Sequence, residues 1–166
     1  VAVATPLWGA LTEKFSRKAL FVFGMIGFTL TSALCSFAHS LTEMLIYRTV
    51  QGVFGAALVP LSQAALYDVY HKKDYAVAIS WWGIGLMFGP ILGPTLGGYV
   101  TEWYSWRWVF YINLPFGLLA FAGIWLSVSE TETRKVRFDV MGFAYLGLAI
   151  GAFQLMLDRG EQVQWF

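Results

Sequence analysis

Residues Trp81–Tyr99 read WWGIGLMFGPILGPTLGGY and carry no charge. An apolar run of this length is sufficient to cross a bilayer as a helix, which takes about 20 residues. Glycines spaced by four share one helical face and form a groove without side chains, which lets a second membrane helix approach closely. We therefore expect a grooved membrane helix that organises the rest of the chain. The glycines of this row are Gly85, Gly89, Gly93 and Gly97.

Two prolines, Pro90 and Pro94, lie within the same stretch. Each lacks an N–H group, and its ring clashes with the carbonyl of the residue four positions earlier, so both favour a kink. Glycine and proline are common in membrane helices. The spacing alone therefore favours a kinked, tightly packed helix that has no special task.

The composition predicts a membrane protein with several spans. Of 166 residues, 58% are hydrophobic and 13% are charged, whereas soluble domains carry about 25% charged residues. The mean hydropathy is +0.61. The net charge of +1 gives no reason to expect a nucleic-acid partner. Because Cys35 is the only cysteine, no internal disulfide or cysteine-rich metal site is expected.

The apolar pattern predicts an all-α bundle with five whole membrane spans and the end of one more. The first run, Val1–Leu11, is too short to cross a bilayer, so we expect the chain to be a fragment that begins inside a helix. The whole spans are predicted at Ala19–Ala38, Glu43–Tyr67, Tyr75–Val100, Trp108–Val128 and Val140–Leu157.

The charges of the loops predict the orientation. Loops 12–18, 68–74 and 129–139 carry eight of the eleven lysines and arginines, and they alternate strictly with weakly charged connections. Cytoplasmic loops carry an excess of these residues, so the three loops are expected in the cytoplasm.

Arg48 is the charged residue that most needs an explanation. A charge inside a span costs several kcal/mol unless it is paired, hydrated or within reach of the interface. It lies about 9 Å along the helix from Thr42, so snorkelling to the outer interface would account for it. Its helical face favours a function instead, because a small and polar face points to the bundle interior or to a water-filled cavity. That face comprises Gly52, Gly55, Val59, Ser62 and Gln63, and Gln51 lies one turn from Arg48.

The glycine and proline pattern resembles the antiporter motif in the fifth helix of drug:proton antiporters of the major facilitator superfamily. In that family the motif is thought to seal the two halves of the transporter against leak, and the resemblance implies the same role here. The matching residues are Gly85, Gly89, Pro90, Gly93, Pro94, Gly97 and Gly98.

The run from Leu45 to Ala56 resembles the fourth-helix signature of proton-coupled members of the superfamily. The resemblance implies that Arg48 takes part in proton transfer and substrate coupling, with Gln51 and Gly52 in the same motif.

The first loop resembles the signature loop between the second and third family helices, which acts as a conformational latch. The matching residues are Gly9, Glu13, Arg17 and Lys18. Glu13 stands where the family has Asp, and Ser16 stands where it has Gly, which is unfavourable if the turn needs a positive φ. A solvated charge run that sets topology would account for the basic residues of this loop as well.

The segment Trp106–Gly117 combines aromatic residues typical of a membrane interface with a helix broken at Pro115. It resembles the start of the sixth helix of drug antiporters. Asn113 would be a buried polar group that needs a partner, either on another helix or in the substrate. Asn113 and Gln63 are therefore candidate cavity-lining residues.

The last part of the chain resembles the fourteen-span branch of this family, near the EmrB-type multidrug exporters. The matching segments are Phe138–Gly142, Leu157–Gly160 and Pro60–Gln63. The resemblance covers the whole chain. It implies that residues 1–139 belong to the N-terminal transporter bundle, as family helices two to six, and that residues 140–166 form an extra seventh span and the start of an outer loop.

The resemblance implies a secondary transporter of the inner or plasma membrane that exports hydrophobic or drug-like compounds in exchange for protons. Its energy source would be the proton gradient, with no cofactor. Its partners would be the lipid bilayer, a hydrophobic small molecule and the remainder of the transporter. Whether a periplasmic adaptor protein also binds stays open.

Two other functions stay open. A nutrient symporter of the same superfamily would share the fold, although the double Gly-Pro pattern argues against it. A membrane structural or assembly protein would have no transport cycle, and Arg48 on a polar face argues against that. No HExxH, GxSxG or P-loop pattern occurs, so an enzyme is not expected.

Overall fold

The computed structural model describes residues 4–12, 14–128, 130 and 139–163. The regular structure in these ranges is helical, and five helical segments are long and apolar enough to cross a membrane. This confirms the all-α membrane fold. The helices are α1 Thr5–Leu11, α2 Arg17–Ser36, α3 Leu41–Val69, α4 Tyr75–Trp103, α5 Trp108–Tyr111, α6 Asn113–Ser127 and α7 Val140–Val163, with a short 3-10 helix at Lys72–Asp74.

Serine side chains cap the first turns of the two central helices. Ser40 Oγ accepts a hydrogen bond of 3.2 Å from the backbone N–H of Glu43, and the Glu43 carboxylate accepts one of 2.9 Å from the N–H of His39. These bonds satisfy donors that a helix start leaves free. Ser16 caps α2 in the same way, accepting from Ala19. Its φ is −60°, so no glycine is needed at this turn.

The sixth family helix is interrupted as its proline predicts. It forms two helices, α5 and α6, separated by Ile112. Pro115 cannot donate a hydrogen bond to Tyr111, and its ring crowds that carbonyl. Ile112 itself keeps helical dihedral angles, with φ −55° and ψ −33°, so α5 and α6 still form one apolar span, Trp108–Ser127.

Two helices continue three or more residues beyond the predicted ends of their spans. The helix α4 continues three residues beyond Val100, and α7 continues past Leu157 to Val163. Charged residues mark the edge of the apolar layer, but they do not end a helix. In α7 the Asp158 carboxylate accepts a hydrogen bond of 3.1 Å from Gln154, one turn earlier, which supports further helical turns.

The core is built on close contact between α2 and α3. A Cβ atom added to Gly27 would overlap the ring of Phe54, and one added to Gly24 would lie 3.0 Å from Ala57 Cβ. The rings of Trp8 and Phe23 surround Phe54 at centroid distances of 6.5 and 5.5 Å. Glycines on one helix thus let the aromatic residue of the other reach its backbone.

The glycine row of α4 is not a packing surface among the described helices, contrary to expectation. Of the described residues of α4, only Ala78 is buried. Two hydrogen bonds join α4 to α3, from Trp82 Nε1 to Ser62 Oγ over 3.0 Å and from the Tyr75 hydroxyl to the Tyr67 carbonyl over 2.9 Å. A Cβ atom at any row position would find nothing within 4 Å in the described chain. Small residues permit close packing only where a partner helix faces them, so the organising pair is α2 and α3.

We expect Gly27→Ala to destabilise the full-length protein, because the added methyl group must displace Phe54. Overpacking of this kind costs about 1–3 kcal/mol, which exceeds the gain of about 1 kcal/mol in helix propensity. The matched control is Gly83→Ala in α4, which has open space and should gain stability. Thermal unfolding in detergent measures both, and a Gly27→Ala variant as stable as Gly83→Ala would contradict the packing.

The orientation stays a prediction, and cysteine labelling tests it. After Cys35→Ala, single cysteines at Ser16 and Lys73 should react with an impermeant reagent only from the cytoplasm, and one at Ser105 only from outside. A shared face for the Lys73 and Ser105 positions would contradict the assignment of α4 as a span.

Candidate functional site

The side chain of Arg48 lies against the bundle in a small cluster. Its Nη1 donates a hydrogen bond of 3.0 Å to Gln51 Oε1, and its guanidinium carbon lies 4.5 Å from the centroid of the Phe110 ring. Gln51 Oε1 also lies 3.9 Å from the Sγ of Cys35, which donates to it. Gln51 is only 3% exposed and Phe110 only 4%. Arg48 therefore has a polar partner and an aromatic partner within the described chain.

A second polar contact fixes Phe110 from the side of α2. The Ser32 hydroxyl donates to the carbonyl of Phe110 over 3.1 Å and accepts from Asn113 Nδ2 over 2.9 Å. One turn further along α6, a Cβ atom on Gly117 would overlap Thr29 of α2. Asn113 thus has the helix–helix hydrogen bond that was one of its two expected roles.

The predicted polar face of α3 is not the face that packs in the core. Arg48 is exposed in the described chain and Val59 is 44% exposed, whereas Gln51, Ala57 and Leu61 are buried. The core side is set by the glycines of α2, which admit Phe54 and Ala57. The predicted face is therefore half open along α3, and Gly52, Gly55, Ser62 and Gln63 on it are half-buried.

The basic residues Arg17 and Lys18 join the helix ends on the side that the charge pattern predicts to be cytoplasmic. Arg17 Nη1 lies 2.9 Å from a carboxylate oxygen of Asp68 at the end of α3. Lys18 Nζ donates to the carbonyl of Trp125 over 2.9 Å and lies 5.3 Å from the centroid of its ring. Gly9 is exposed, and Glu13 lies outside the described residues. The loop thus links α2 to both α3 and α6.

Several of these partners were not singled out from the sequence. Asp68, Ser32 and Phe110 each bind a predicted site residue or its neighbour, yet none was given a role, although Phe110 lies within the matched segment Trp106–Gly117. A usable signal was present for Ser32, because four small polar residues occur close together in an apolar helix. They are Thr31, Ser32, Cys35 and Ser36, and all four are buried.

The family profile of the Major Facilitator Superfamily matches residues 1–157, which is almost the whole chain. The chain belongs to the Major Facilitator Superfamily. This family consists of transporters. With its five apolar helices, this Major Facilitator Superfamily chain is a multi-pass protein of the inner membrane, surrounded by lipid.

Several curated members of the Major Facilitator Superfamily align along this chain. The multidrug export protein EmrB of Escherichia coli strain K12 is 35% identical over 99% of the chain and 33% of its own length. The fatty acid resistance protein FarB of Neisseria gonorrhoeae is 35% identical over the same shares. The putative multidrug resistance protein MdtD of Pectobacterium atrosepticum is 35% identical over 98% of the chain and 35% of its own length. The chain thus spans about a third of the length of these relatives.

We expect Ser32 and Asn113 to be energetically coupled in the full-length protein. The double variant Ser32→Ala/Asn113→Ala should lose less stability than the sum of the single variants, by about 0.6–1.7 kcal/mol, the range measured for polar contacts between membrane helices. Ser80→Ala, which removes only a bond to its own helix, is the control partner for Asn113→Ala. Additive losses for the Ser32 pair would contradict the contact.

Proposed function

We propose that this chain is part of a secondary transporter that exports hydrophobic, drug-like compounds in exchange for protons. The observation that carries the proposal is the cluster around Arg48, in which a permanent charge within a membrane helix has Gln51 and Phe110 as partners. A charge at this depth is costly and marks ion or substrate pathways in membrane proteins. Relatives named for multidrug export and fatty acid resistance support a hydrophobic substrate.

In the proposed cycle, Arg48 supplies a fixed positive charge that neighbouring groups sense. A carboxylate that approaches a guanidinium is stabilised in its ionised form and gives up its proton more readily. An acidic residue elsewhere in the transporter would therefore release its proton when it moves towards Arg48. Binding of the substrate and of the proton would then be linked through one side chain, with the proton gradient as energy source and no cofactor or enzymatic step.

The other sequence motifs take supporting roles in this proposal. The loop with Gly9, Glu13, Arg17 and Lys18 would act as the cytoplasmic latch, and the pair of Arg17 and Asp68 would be one of its contacts. The glycine row of α4 would pack against the remainder of the transporter and prevent leak between the two halves. The proposed partners are that remainder, the exported compound and, on the outer side, an adaptor protein.

We expect Arg48→Ala in the full-length protein to abolish drug-driven proton release while insertion is preserved. Arg48→Lys should restore little, because lysine lacks the planar group with five donors. Arg159→Ala, which removes an exposed arginine of α7, is the control and should behave as the wild type. Proton release on drug addition to proteoliposomes measures all three. Undiminished efflux by Arg48→Ala would leave only the snorkelling explanation.

The same assay separates the alternatives. Proton-coupled uptake of a defined solute, without drug efflux, would favour the nutrient symporter. A full-length protein that moves neither drugs nor solutes with protons would favour a structural or assembly role.

The glycine row is tested by a pair of leucine variants in the full-length protein. Gly93 belongs to the row, and Gly83 lies off it. Neither position has a neighbour within 4 Å of an added Cβ atom in the described chain, so a difference between them must come from the remainder of the transporter. We expect Gly93→Leu to cause proton leak in liposomes or to stop export, and Gly83→Leu to do neither. Equal behaviour would remove the physical basis of the seal.

A further inference from the structure

We infer that Phe110 is a positioning residue for Arg48. Through this contact, the position of α5 determines where the guanidinium of Arg48 on α3 lies. The inference rests on the proposed function of Arg48. It starts from the distance of 4.5 Å between the guanidinium carbon and the centroid of the Phe110 ring. The face of an aromatic ring attracts a cation electrostatically, and the attraction is strongest where water is excluded. Phe110 is 4% exposed, so its ring is shielded from water, while the Arg48 side chain over it is exposed in the described chain.

Arg48 needs a second partner to stay in this place. A long arginine side chain can extend along its helix and bring its charge to the membrane interface. The hydrogen bond to Gln51, three residues along the same helix, does not connect Arg48 to another helix. The Phe110 ring is the contact that does, among those observed for Arg48 in the described chain. Without it the guanidinium would be free to turn towards the outer interface.

The position of Phe110 is itself fixed by α2. Its backbone carbonyl accepts from Ser32, which is fully buried and also accepts from Asn113. Its ring meets Trp106 edge to face, with centroids 6.0 Å apart. Because Pro115 donates no hydrogen bond to Tyr111, the helical hydrogen bonding is interrupted between α5 and α6, and these contacts help to fix where α5 lies. A movement of α5 against α2 would therefore shift the ring beneath Arg48.

The consequence is a link between helix movement and charge. While α5 stays on α2, Arg48 is held beside Gln51 over the ring. When α5 shifts, the guanidinium loses its partner on another helix. The proposed exchange of protons for drug would then depend on the aromatic face of residue 110, and not only on the volume that the side chain fills.

The test replaces the ring in the full-length protein and measures two rates in proteoliposomes with an imposed drug gradient: drug flux down that gradient, which needs no proton coupling, and drug-driven proton release. The deciding value is the rate of proton release divided by the rate of drug flux. Loss of folded protein lowers both rates and leaves this ratio unchanged. Phe110→Leu should lower proton release about fivefold, the factor that corresponds to about 1 kcal/mol for a cation–π contact whose cation is exposed, and the ratio should fall with it. Phe110→Tyr, which keeps the ring, should stay within about twofold of the wild type.

Two further variants make the result specific. Phe21→Leu removes a buried ring of the core that has no cation over it in the described chain, and its ratio should equal that of the wild type. Phe110→Leu combined with Arg48→Ala should show the ratio of Arg48→Ala alone, since the ring acts through the charge. If Phe110→Leu does not insert, Phe110→Met supplies the variant without a ring.

The outcomes separate this inference from the proposed function. A wild-type ratio in Phe110→Leu beside a lowered ratio in Arg48→Ala would overturn the positioning role alone. An equal fall in ratio for Phe21→Leu and Phe110→Leu would also overturn it. A wild-type ratio in Arg48→Ala would overturn the proposed coupling and the positioning role with it.

Discussion

The close approach of α2 to α3 is the constraint on which the other contacts depend. Lipid gives membrane helices little hydrophobic reason to associate, so packing and hydrogen bonds between them decide the arrangement. Gly24 and Gly27 have no side chains, so Phe54 and Ala57 of α3 can pack directly against the backbone of α2. This contact sets the rotation of α3. It turns Gln51 towards Cys35 and leaves the face with Gly52 and Gly55 half open.

Polar groups in the interior are paired, and their pairs join the helices. Ser32 connects α2 to the backbone of Phe110 and to the amide of Asn113. In the described part of the chain, no buried side-chain nitrogen or oxygen lacks a hydrogen-bond partner. An unpaired polar group is costly away from water, so these bonds favour one arrangement of α5 and α6 on α2. Arg48 then meets a ring whose place is already determined.

Length and hydropathy predicted the helices well, because a bilayer imposes a minimum apolar run on every span. The interruption next to Pro115 was also readable, since it depends on local chemistry. The sequence did not reveal which helix packs against a glycine surface. The row of α4 and the pair Gly24 and Gly27 look alike in sequence, and only the second faces another described helix. The partners Ser32 and Phe110 were missed for the same reason, because contacts between helices depend on their rotation.

The central claim is that Gln51 and Phe110 hold the guanidinium of Arg48 against the bundle. A cryo-EM structure of the full-length transporter in a lipid nanodisc, at a resolution that shows side chains, measures this directly. The account predicts the guanidinium over the Phe110 ring, near the 4.5 Å found here, with Nη1 within hydrogen-bond distance of Gln51. A guanidinium that points to the lipid headgroups, away from both side chains, would contradict it.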